Sequence, residues 1–378
     1  MSKVRLGDVA KEHKETCKGD KSDYPIVGLE HLEPECITLS QWSESTDNTF
    51  SKVFRKGHVL FGRRRAYLKK AAVAPFDGIC SGDITVIEAI PGRIIPELLP
   101  FVIQNDALFD FAVGRSAGSL SPRVKWEHLK NYEFELPASE EEQRKLADVL
   151  WSIEQTRKSY NSLLRATDEL VKSQFIELFG DPGNNPKNWI NGTIRDVVSE
   201  VRYGSSRPAS ADGVFPYIRM NNITYDGKLD LSDLKRINIP EQELEKCSVR
   251  KGDVLFNRTN SKELVGKTCL YDRDELMVLA GFIIRVRVNS KILPEFLVAY
   301  MNLPYTKQLL LSLCKAAIGQ ANINAQEFQN IPIYQPPVEL QERYVSFAQQ
   351  LDKSKFELEQ ALSELTLTYK RILAENLG

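Results

Sequence analysis

The stretch Gly57-His58-Val59-Leu60-Phe61-Gly62-Arg63 occurs twice in this chain, and its second copy reads Gly252-Asp253-Val254-Leu255-Phe256-Asn257-Arg258. In each copy a glycine precedes three apolar residues and an arginine follows them, a pattern that indicates a buried strand entered from a turn. Both copies therefore predict the same strand in two places, with polar side chains where the strand ends.

Two more blocks recur in the same order around this strand. The earlier block spans residues 24–32 and again 215–223, and the later block spans 129–134 and again 328–333. This period is far longer than the roughly 20–50 residues of a solenoid repeat, so we interpret it as the duplication of a whole domain. A scaffold that occurs twice, with a different variable segment in each half, is suited to bind two different targets.

The pattern predicts an α+β fold in four segments. Residues 1–138 and 180–337 predict two duplicated α/β domains, in which we expect helices over 94–113 and 294–313. Residues 139–179 and 338–378 each predict one long helix, about 60 Å in length. Ser139 and Glu142 form a capping-box signature at the start of the first.

Both long helices carry residues at alternating steps of three and four, the repeat of a coiled coil. The predicted seam of the first helix is Leu146, Val149, Ile153, Thr156, Tyr160, Leu163, Thr167 and Leu170. The predicted seam of the second is Tyr344, Phe347, Leu351, Ser354, Leu358, Ala361, Leu365, Thr368 and Ile372. We expect an antiparallel coiled-coil pair between the two domains; the alternative is an ordinary helical bundle.

Composition narrows the class of protein. The chain has 378 residues and a formal net charge of −1, which argues weakly against nucleic-acid binding as a whole, although 54–70 contains seven basic and no acidic residues. Its apolar stretches are too short to span a membrane, and the N-terminus leads into no apolar signal segment. The six cysteines are dispersed, so we expect neither a zinc site nor disulfides, and a cytoplasmic location.

Catalytic motifs are weak. Gly266-Lys267-Thr268 resembles the end of a phosphate-binding loop, but Ser261 stands where that motif requires glycine. Asn330-Ile331-Pro332-Ile333-Tyr334 echoes a methyltransferase loop but lacks its double proline. His13, His31, His58 and His128 lie in unrelated contexts. We therefore expect no catalysis and no metal in this chain.

The loops after the repeated strand carry the side chains that hold phosphates or read base edges. The candidate residues of these two loops are Arg63, Arg64, Arg65, Tyr67, Lys69 and Lys70, and Asn257, Arg258, Thr259, Asn260, Lys262 and Lys267. A second pair of small, polar loops adds Arg115, Ser119, Ser121, Arg123 and Lys125, and Lys315, Gln320, Asn322 and Asn324. Arg219, Asn221 and Asn222 complete the predicted DNA-binding set. Solvated basic loops and a plain helix cap with a turn remain the alternatives.

These features together resemble the specificity subunit of type I restriction-modification systems. The resemblance rests on 251–259, 263–267, 317–324, 330–333 and 336–341 in the second half, on 57–61, 119–123 and 136–144 in the first, and on 175–182 between them. Gly62-Arg63-Arg64-Arg65 departs from the Asn/Ser-Arg-Thr type that is commoner at this place. The first half therefore looks like a different target-recognition subtype.

The resemblance implies a non-catalytic, DNA-binding subunit in which each domain reads one half of a split, asymmetric site in double-stranded DNA. It further implies that the helices set the spacer and dock two methyltransferase subunits, which restriction subunits join. S-adenosylmethionine, ATP and Mg would be bound by those partners, with no cofactor on this chain and no membrane partner.

Other functions stay open at this stage. A coiled-coil adaptor that binds only protein would leave the basic loops without a role. A specificity subunit of a related methylation-only or type IIB-like system would carry the same motifs. The third alternative is an enzyme, a stand-alone methyltransferase or nuclease whose catalytic motifs have become degenerate.

Overall fold

The computed structural model describes residues 2–45, 47–118, 120–261, 264–314 and 321–378. The chain forms two compact units: unit 1 comprises residues 1–163 and 357–378, and unit 2 comprises residues 164–356. Helices and strands are mixed in both units, as the predicted α+β class requires. No helix in the described ranges is long and apolar enough to cross a membrane.

Unit 1 is built on a four-stranded antiparallel sheet with the repeated strand inside it. The strand order is Ala10–Glu12, Ile84–Ala89, Val59–Gly62, Ala71–Val73. A second sheet has the order Ile26–Val27, Gly78–Cys80, Lys52–Phe54, and Ser2–Arg5 pairs with Glu133–Leu136. Val59, Leu60 and Phe61 are completely buried, which explains the uninterrupted apolar run in the sequence.

Unit 2 repeats this arrangement. Its main sheet has the order Val198–Tyr203, Ile283–Val288, Val254–Asn257, Thr268–Leu270. The second sheet has the order Lys235–Ile237, Phe215–Ile218, Met277–Leu279, Ser248–Val249. Two short pairs complete the unit, Ile190–Thr193 with Pro332–Gln335 and Thr259–Asn260 with Ala321–Asn322.

The duplication extends to single side-chain contacts. Lys70 donates from Nζ to the Leu29 carbonyl at 2.8 Å, and the equivalent Lys267 donates to the Met220 carbonyl at 2.9 Å. Gln143 accepts a hydrogen bond from the Ile95 N–H, and Gln341 accepts one from the Leu293 N–H. The two units therefore share side-chain-to-backbone hydrogen bonds as well as their strand order.

The predicted helices over 94–113 and 294–313 were both wrong in being continuous, because each is broken in two, and the first begins only at Leu99. The α-helices of the structure are Leu6–Val9, Leu99–Ile103, Asp106–Gly114, Trp126–Leu129, Glu140–Phe179, Glu241–Cys247, Pro294–Asn302, Pro304–Leu313, Ala325–Gln329 and Val338–Leu377. In unit 1, Asn105 caps a new helix by accepting from the Ala107 N–H. In unit 2, Pro304 lacks the N–H that a continuous helix needs.

Two helices of 40 residues each dominate the helical content: the central helix, Glu140–Phe179, and the C-terminal helix, Val338–Leu377. Within unit 2, Asp168 pairs with Lys355, and Phe175 packs edge-on against Tyr344 with ring centroids 5.3 Å apart. Residue numbers rise along one helix while they fall along the other, so the two segments run antiparallel in this unit.

The seam predicted for the central helix is rotated relative to the buried face. Val149 and Leu170, both predicted in the seam, are each 47% exposed, whereas Ala147, Leu150 and Phe175 are buried. The reason is that the helix packs on the core of its unit as well as on the other long helix, and one residue corresponds to about 100° of rotation. In the C-terminal helix Tyr344, predicted in the seam, is buried. Ser354, also predicted in the seam, is exposed, and its neighbour Lys355 is buried.

Candidate functional site

The repeated strand ends at an equivalent rim in each unit. In unit 1 the Arg63 N–H donates to the Asp83 carbonyl, and the Val124 N–H donates to the Arg63 carbonyl, both at 3.0 Å. In unit 2 the Arg258 N–H donates to the Phe282 carbonyl at 3.0 Å, and the Ile323 N–H donates to the Arg258 carbonyl at 2.9 Å. The loops that sequence motifs singled out separately are therefore brought together in both units.

We call the surface formed by 63–70, Asp83, 114–118 and 120–125 the first rim. At its centre Arg123 donates from Nε to Asp83 Oδ1 at 2.7 Å and from Nη2 to Asp83 Oδ2 at 3.2 Å. Arg64 lies beside this pair, with Nη1 3.6 Å from Asp83 Oδ2, and donates to the Ser121 hydroxyl. The Arg123 guanidinium holds the pKa of the Asp83 carboxyl below its usual value. The carboxylate therefore stays ionised among basic side chains.

The other predicted residues of the first rim differ in exposure. Arg65 is exposed and adopts a left-handed backbone with φ 53°, fixed by its N–H bond to the Pro122 carbonyl. Tyr67 is 55% exposed, and Arg115 and Lys125 are exposed as well. These four side chains are open to solvent, and the Arg115 guanidinium carbon lies 5.6 Å from the centre of the Phe111 ring.

Two lysines of the same loop are already engaged within unit 1. Lys69 forms an ion pair with Asp106, which raises the pKa of the lysine. Lys70 is tied to the Leu29 carbonyl, as described above. Arg63 is half-buried, and its Nε has no hydrogen-bond partner among the described residues.

We call the surface formed by 257–261, Tyr203, Phe282 and 321–324 the second rim. The Arg258 guanidinium carbon lies 4.8 Å from the centre of the Tyr203 ring, and its Nη1 is 3.5 Å from the Gly281 carbonyl. Thr259 donates from its hydroxyl to Asn322 Oδ1 at 3.1 Å. Asn322 is exposed.

The remaining asparagines of this rim have structural partners. Asn260 accepts from the Ser261 N–H, and Asn324 caps the helix Ala325–Gln329 by accepting from the Gln326 and Glu327 N–H groups. Tyr203, which sequence reasoning missed, accepts from the Ala325 N–H at 2.8 Å. Because Tyr203 stands at a strand end far from the motifs in sequence, only the fold brings it to Arg258.

Several predicted residues of unit 2 are buried rather than presented. Asn257 and Asn222 are completely or almost completely buried, and Asn222 Oδ1 accepts from the Arg219 N–H. Lys267 is 7% exposed and serves the Met220 carbonyl. These three side chains hydrogen-bond to backbone groups of their own unit, Asn257 to the Thr259 N–H among them. Asn221 is exposed, and Arg219 pairs with Asp233 at 2.8 Å.

Four of the predicted residues lie outside the described residues: Ser119, Lys262, Lys315 and Gln320. Their participation stays a prediction.

A lysine that sequence reasoning missed lies close to Lys267. Lys307 donates from Nζ to the Gly266 carbonyl at 2.8 Å, and the Nζ lies 5.8 Å from the centre of the Tyr225 ring. Burial, together with the charge of Lys267, lowers the pKa of Lys307 to about 8. A basic residue in a mostly apolar helix gave no motif by which it could have been found.

Two histidines and a carboxylate also meet in unit 1. Ligand atoms of His13, His58 and Glu88 lie within 4.8 Å of one another. His58 Nδ1 accepts from the Arg55 N–H at 3.1 Å, so the proton of the neutral ring is on Nε2, which faces Glu88 at 3.4 Å. A metal bound at Nε2 would need the opposite tautomer. The trio therefore fits a hydrogen-bonded cluster better than a metal centre.

Comparison with known proteins places this geometry in a family. The family model described as type I restriction modification DNA specificity domain matches residues 1–165 and 186–366, one segment for each repeat. The chain is 26% identical over 174 residues to the putative type I restriction enzyme MjaX specificity subunit of Methanocaldococcus jannaschii. This alignment covers 45% of this chain and 41% of that protein. It is also 26% identical over 190 residues to the type I restriction enzyme EcoKI specificity subunit of Escherichia coli K12. That alignment covers 48% of this chain and 41% of that protein.

The chain thus spans less than half the length of the curated relatives that it matches. A solved structure from work on complex assembly and conformational transition of the type I R-M system aligns over 99% of this chain and 97% of its own, with a TM-score of 0.59 and 22% identity. That likeness supports the fold. Because the family model matches most of the sequence in two segments, the chain belongs to the family of type I restriction modification DNA specificity domains.

Proposed function

We propose that this chain is the non-catalytic, DNA-reading subunit of a type I restriction-modification complex in the cytoplasm. The observation that carries the proposal is the pair of equivalent rims. Each unit presents arginine at the end of the same buried strand, beside loops that differ between the units. A shared frame with two different readers fits a bipartite, asymmetric site in double-stranded DNA.

The physical roles divide along the lines of exposure. Exposed basic side chains such as Arg65 and Lys125 attract phosphates and fix register, a contribution that weakens as salt rises. Side chains held by neighbours, such as Arg123 and Arg258, suit contacts with base edges because their direction is fixed. Each unit would thus read one half-site.

The two long helices have a second role in this proposal. As an antiparallel coiled coil they would set the number of unread base pairs between the half-sites. Their exposed apolar side chains, Val149 in unit 1 and Leu170 in unit 2, would dock one methyltransferase subunit each. Restriction subunits would join that complex.

The chemistry would then belong to the partners. S-adenosylmethionine would bind the methyltransferase subunits, and ATP and Mg would bind the restriction subunits. This chain would contribute position: it holds the partners over the chosen sequence.

Mapping methylated adenines in the source genome tests the proposal directly. We expect a split motif with one modified adenine in each half, and loss of that modification when this chain is deleted. A genome in which deletion leaves every methylated motif unchanged would contradict the proposal. The double substitution Val149→Asp with Leu170→Asp serves as a second arm, because it should abolish copurification with methyltransferase subunits while duplex binding persists.

A further inference from the structure

The first rim contains an arginine whose direction is fixed by a carboxylate. Arg123 uses its Nε and Nη2 donors on the two oxygens of Asp83. A guanidinium is planar and has a second edge, formed by Nη1 and the other Nη2 proton, which this pairing leaves unused. The Arg123 side chain is 42% exposed, so that edge can meet a ligand.

Asp83 is itself held in place. Its N–H donates to the Ser81 hydroxyl at 3.2 Å, and its carbonyl accepts from Arg63. Its side chain is 21% exposed, and Arg64 adds a second cation to it. The carboxylate is therefore a rigid support, and Arg123 projects from it with one orientation.

Unit 2 differs at the equivalent positions. The backbone bonds of Arg63 to Asp83 and of Val124 to Arg63 match those of Arg258 to Phe282 and of Ile323 to Arg258. Phe282 therefore stands in place of Asp83, and Asn322 in place of Arg123. Neither can form the arginine–carboxylate pair, so this pair distinguishes the two readers within a common frame.

We propose that Arg123, aligned by Asp83, is the side chain with which unit 1 selects a guanine. Guanine presents two acceptors, O6 and N7, on its major-groove edge, and their spacing matches two parallel N–H donors of a guanidinium. Lysine cannot replace arginine there, because an ammonium group offers no planar pair of donors. Asp83 is a positioning residue in this scheme, since it acts through Arg123. The inference rests on the proposed function, because it names what one rim reads.

The test is selection of preferred sequences from a randomised duplex library. The full chain is used alone and together with methyltransferase subunits of its host, and the thermal unfolding midpoint of each variant is measured beside it. We expect the unaltered chain to select a split motif with a guanine in one half. Arg123→Lys should lower the preference for that guanine roughly ten- to hundred-fold and leave the other half unchanged.

Two further variants separate base reading from charge and from folding. Asp83→Asn keeps the arginine and should weaken the same guanine preference by a smaller factor. Arg115→Gln removes an exposed charge from the same segment and should lower affinity for all sequences with the motif intact. If Arg123→Lys keeps the guanine, or lowers affinity for every sequence equally, the inference is overturned while the proposed function stands. If the unaltered chain selects no motif, the proposed function falls and the inference falls with it.

Discussion

Arg258 lies over the ring of Tyr203, with its guanidinium carbon 4.8 Å from the ring centre. The ring is fixed at both ends, because Tyr203 closes the strand Val198–Tyr203 and its hydroxyl accepts from the Ala325 N–H. A cation above an aromatic face is stabilised by about 0.5–1 kcal/mol at an exposed site. Unit 2 therefore orients Arg258 with an aromatic ring, whereas unit 1 uses the carboxylate of Asp83 to orient Arg123, which stands at a different position of the shared frame.

This relationship predicts how variants of Tyr203 behave. Tyr203→Leu should weaken binding to the second half-site several-fold, because Arg258 loses the surface that holds it. Tyr203→Phe keeps the ring and loses only the hydrogen bond to the Ala325 N–H, so it should weaken binding less than Tyr203→Leu does, which makes it the matched control. Binding to duplexes that carry one intact half-site measures the effect. Adding Arg258→Ala to Tyr203→Leu should cost no more than Arg258→Ala alone; fully additive losses would show that the two residues act separately.

Salt dependence should distinguish the exposed Arg65 of the first rim from the arginines whose side chains have protein partners. The Arg65 side chain is exposed, so Arg65→Gln should remove about one phosphate contact. The slope of log affinity against log salt should become shallower by about one, equally for all sequences. Arg63→Ala and Arg64→Ala should also weaken binding through the first half. Unchanged affinity in these three variants and in Arg258→Ala would remove both loops from the interface.

Gln341 should be a large contributor to the stability of unit 2. It is completely buried, and it accepts from the Leu293 N–H while donating to the carbonyls of Pro336 and Lys291. Gln341→Leu leaves these backbone groups unpaired and should cost about 3 kcal/mol of unfolding free energy. The exposed neighbour Glu342→Ala should change stability by less than about 0.5 kcal/mol. Urea denaturation of both variants measures these differences. Equal denaturation midpoints for the two variants would contradict the stabilising role of Gln341.

Lys307 should make the stability of unit 2 depend on pH in the alkaline range. Its pKa is lowered to about 8 in the fold, whereas an unfolded lysine titrates near 10.4. Between these values the unfolded state binds more protons, so the unfolding free energy rises with pH, by an amount of the order of 2–3 kcal/mol. Below about pH 8 the charged, buried group gives no such gain.

The control for this titration is Lys307→Met, which cannot gain or lose a proton. Fluorescence of Trp189, the single tryptophan of unit 2, reports its unfolding once the other three tryptophans are replaced by phenylalanine. The stability of the lysine-containing chain relative to the variant should increase from pH 7.5 to 10.5. A constant difference across that range would mean that Lys307 is not buried as described.

Shortening both long helices tests their role as a spacer. Deleting one heptad from each, residues 158–164 and 359–365, shortens each helix by about 10 Å, equivalent to roughly three base pairs. We expect the gap in the methylated motif to shrink and both half-sites to stay the same. A changed base within a half-site, with an unchanged gap, would rule out the spacer role.

The sequence allowed the repeated frame to be predicted but only part of each rim. Val59–Phe61 and Val254–Phe256 could be assigned as strands because their apolar runs are short, bounded by glycine and duplicated. The partners of the two arginines could not be predicted. Asp83 lies about 40 residues from Arg123, and Tyr203 lies about 55 residues from Arg258, so only sheet pairing brings each pair together.

The helix seam failed for a related reason. Heptad spacing identifies an apolar stripe, but Val149 and Ala147 differ by two positions, and the choice between them depends on the core of unit 1. The burial of Asn257 likewise depends on the backbone around it and not on its neighbours in sequence.

The composition of unit 1 has a consequence for biosynthesis. Its core contains Leu150 and Phe101 from the early part of the chain, and Tyr369, Leu373 and Leu377 from the last helix. Unit 2 is one uninterrupted stretch, residues 164–356. On the ribosome, unit 2 can therefore complete its core first, although it is made second, while unit 1 waits with exposed apolar surface for 357–378. Domains made first usually fold first; here the order of folding is expected to be reversed, and unit 1 is the part that a chaperone has most time to bind.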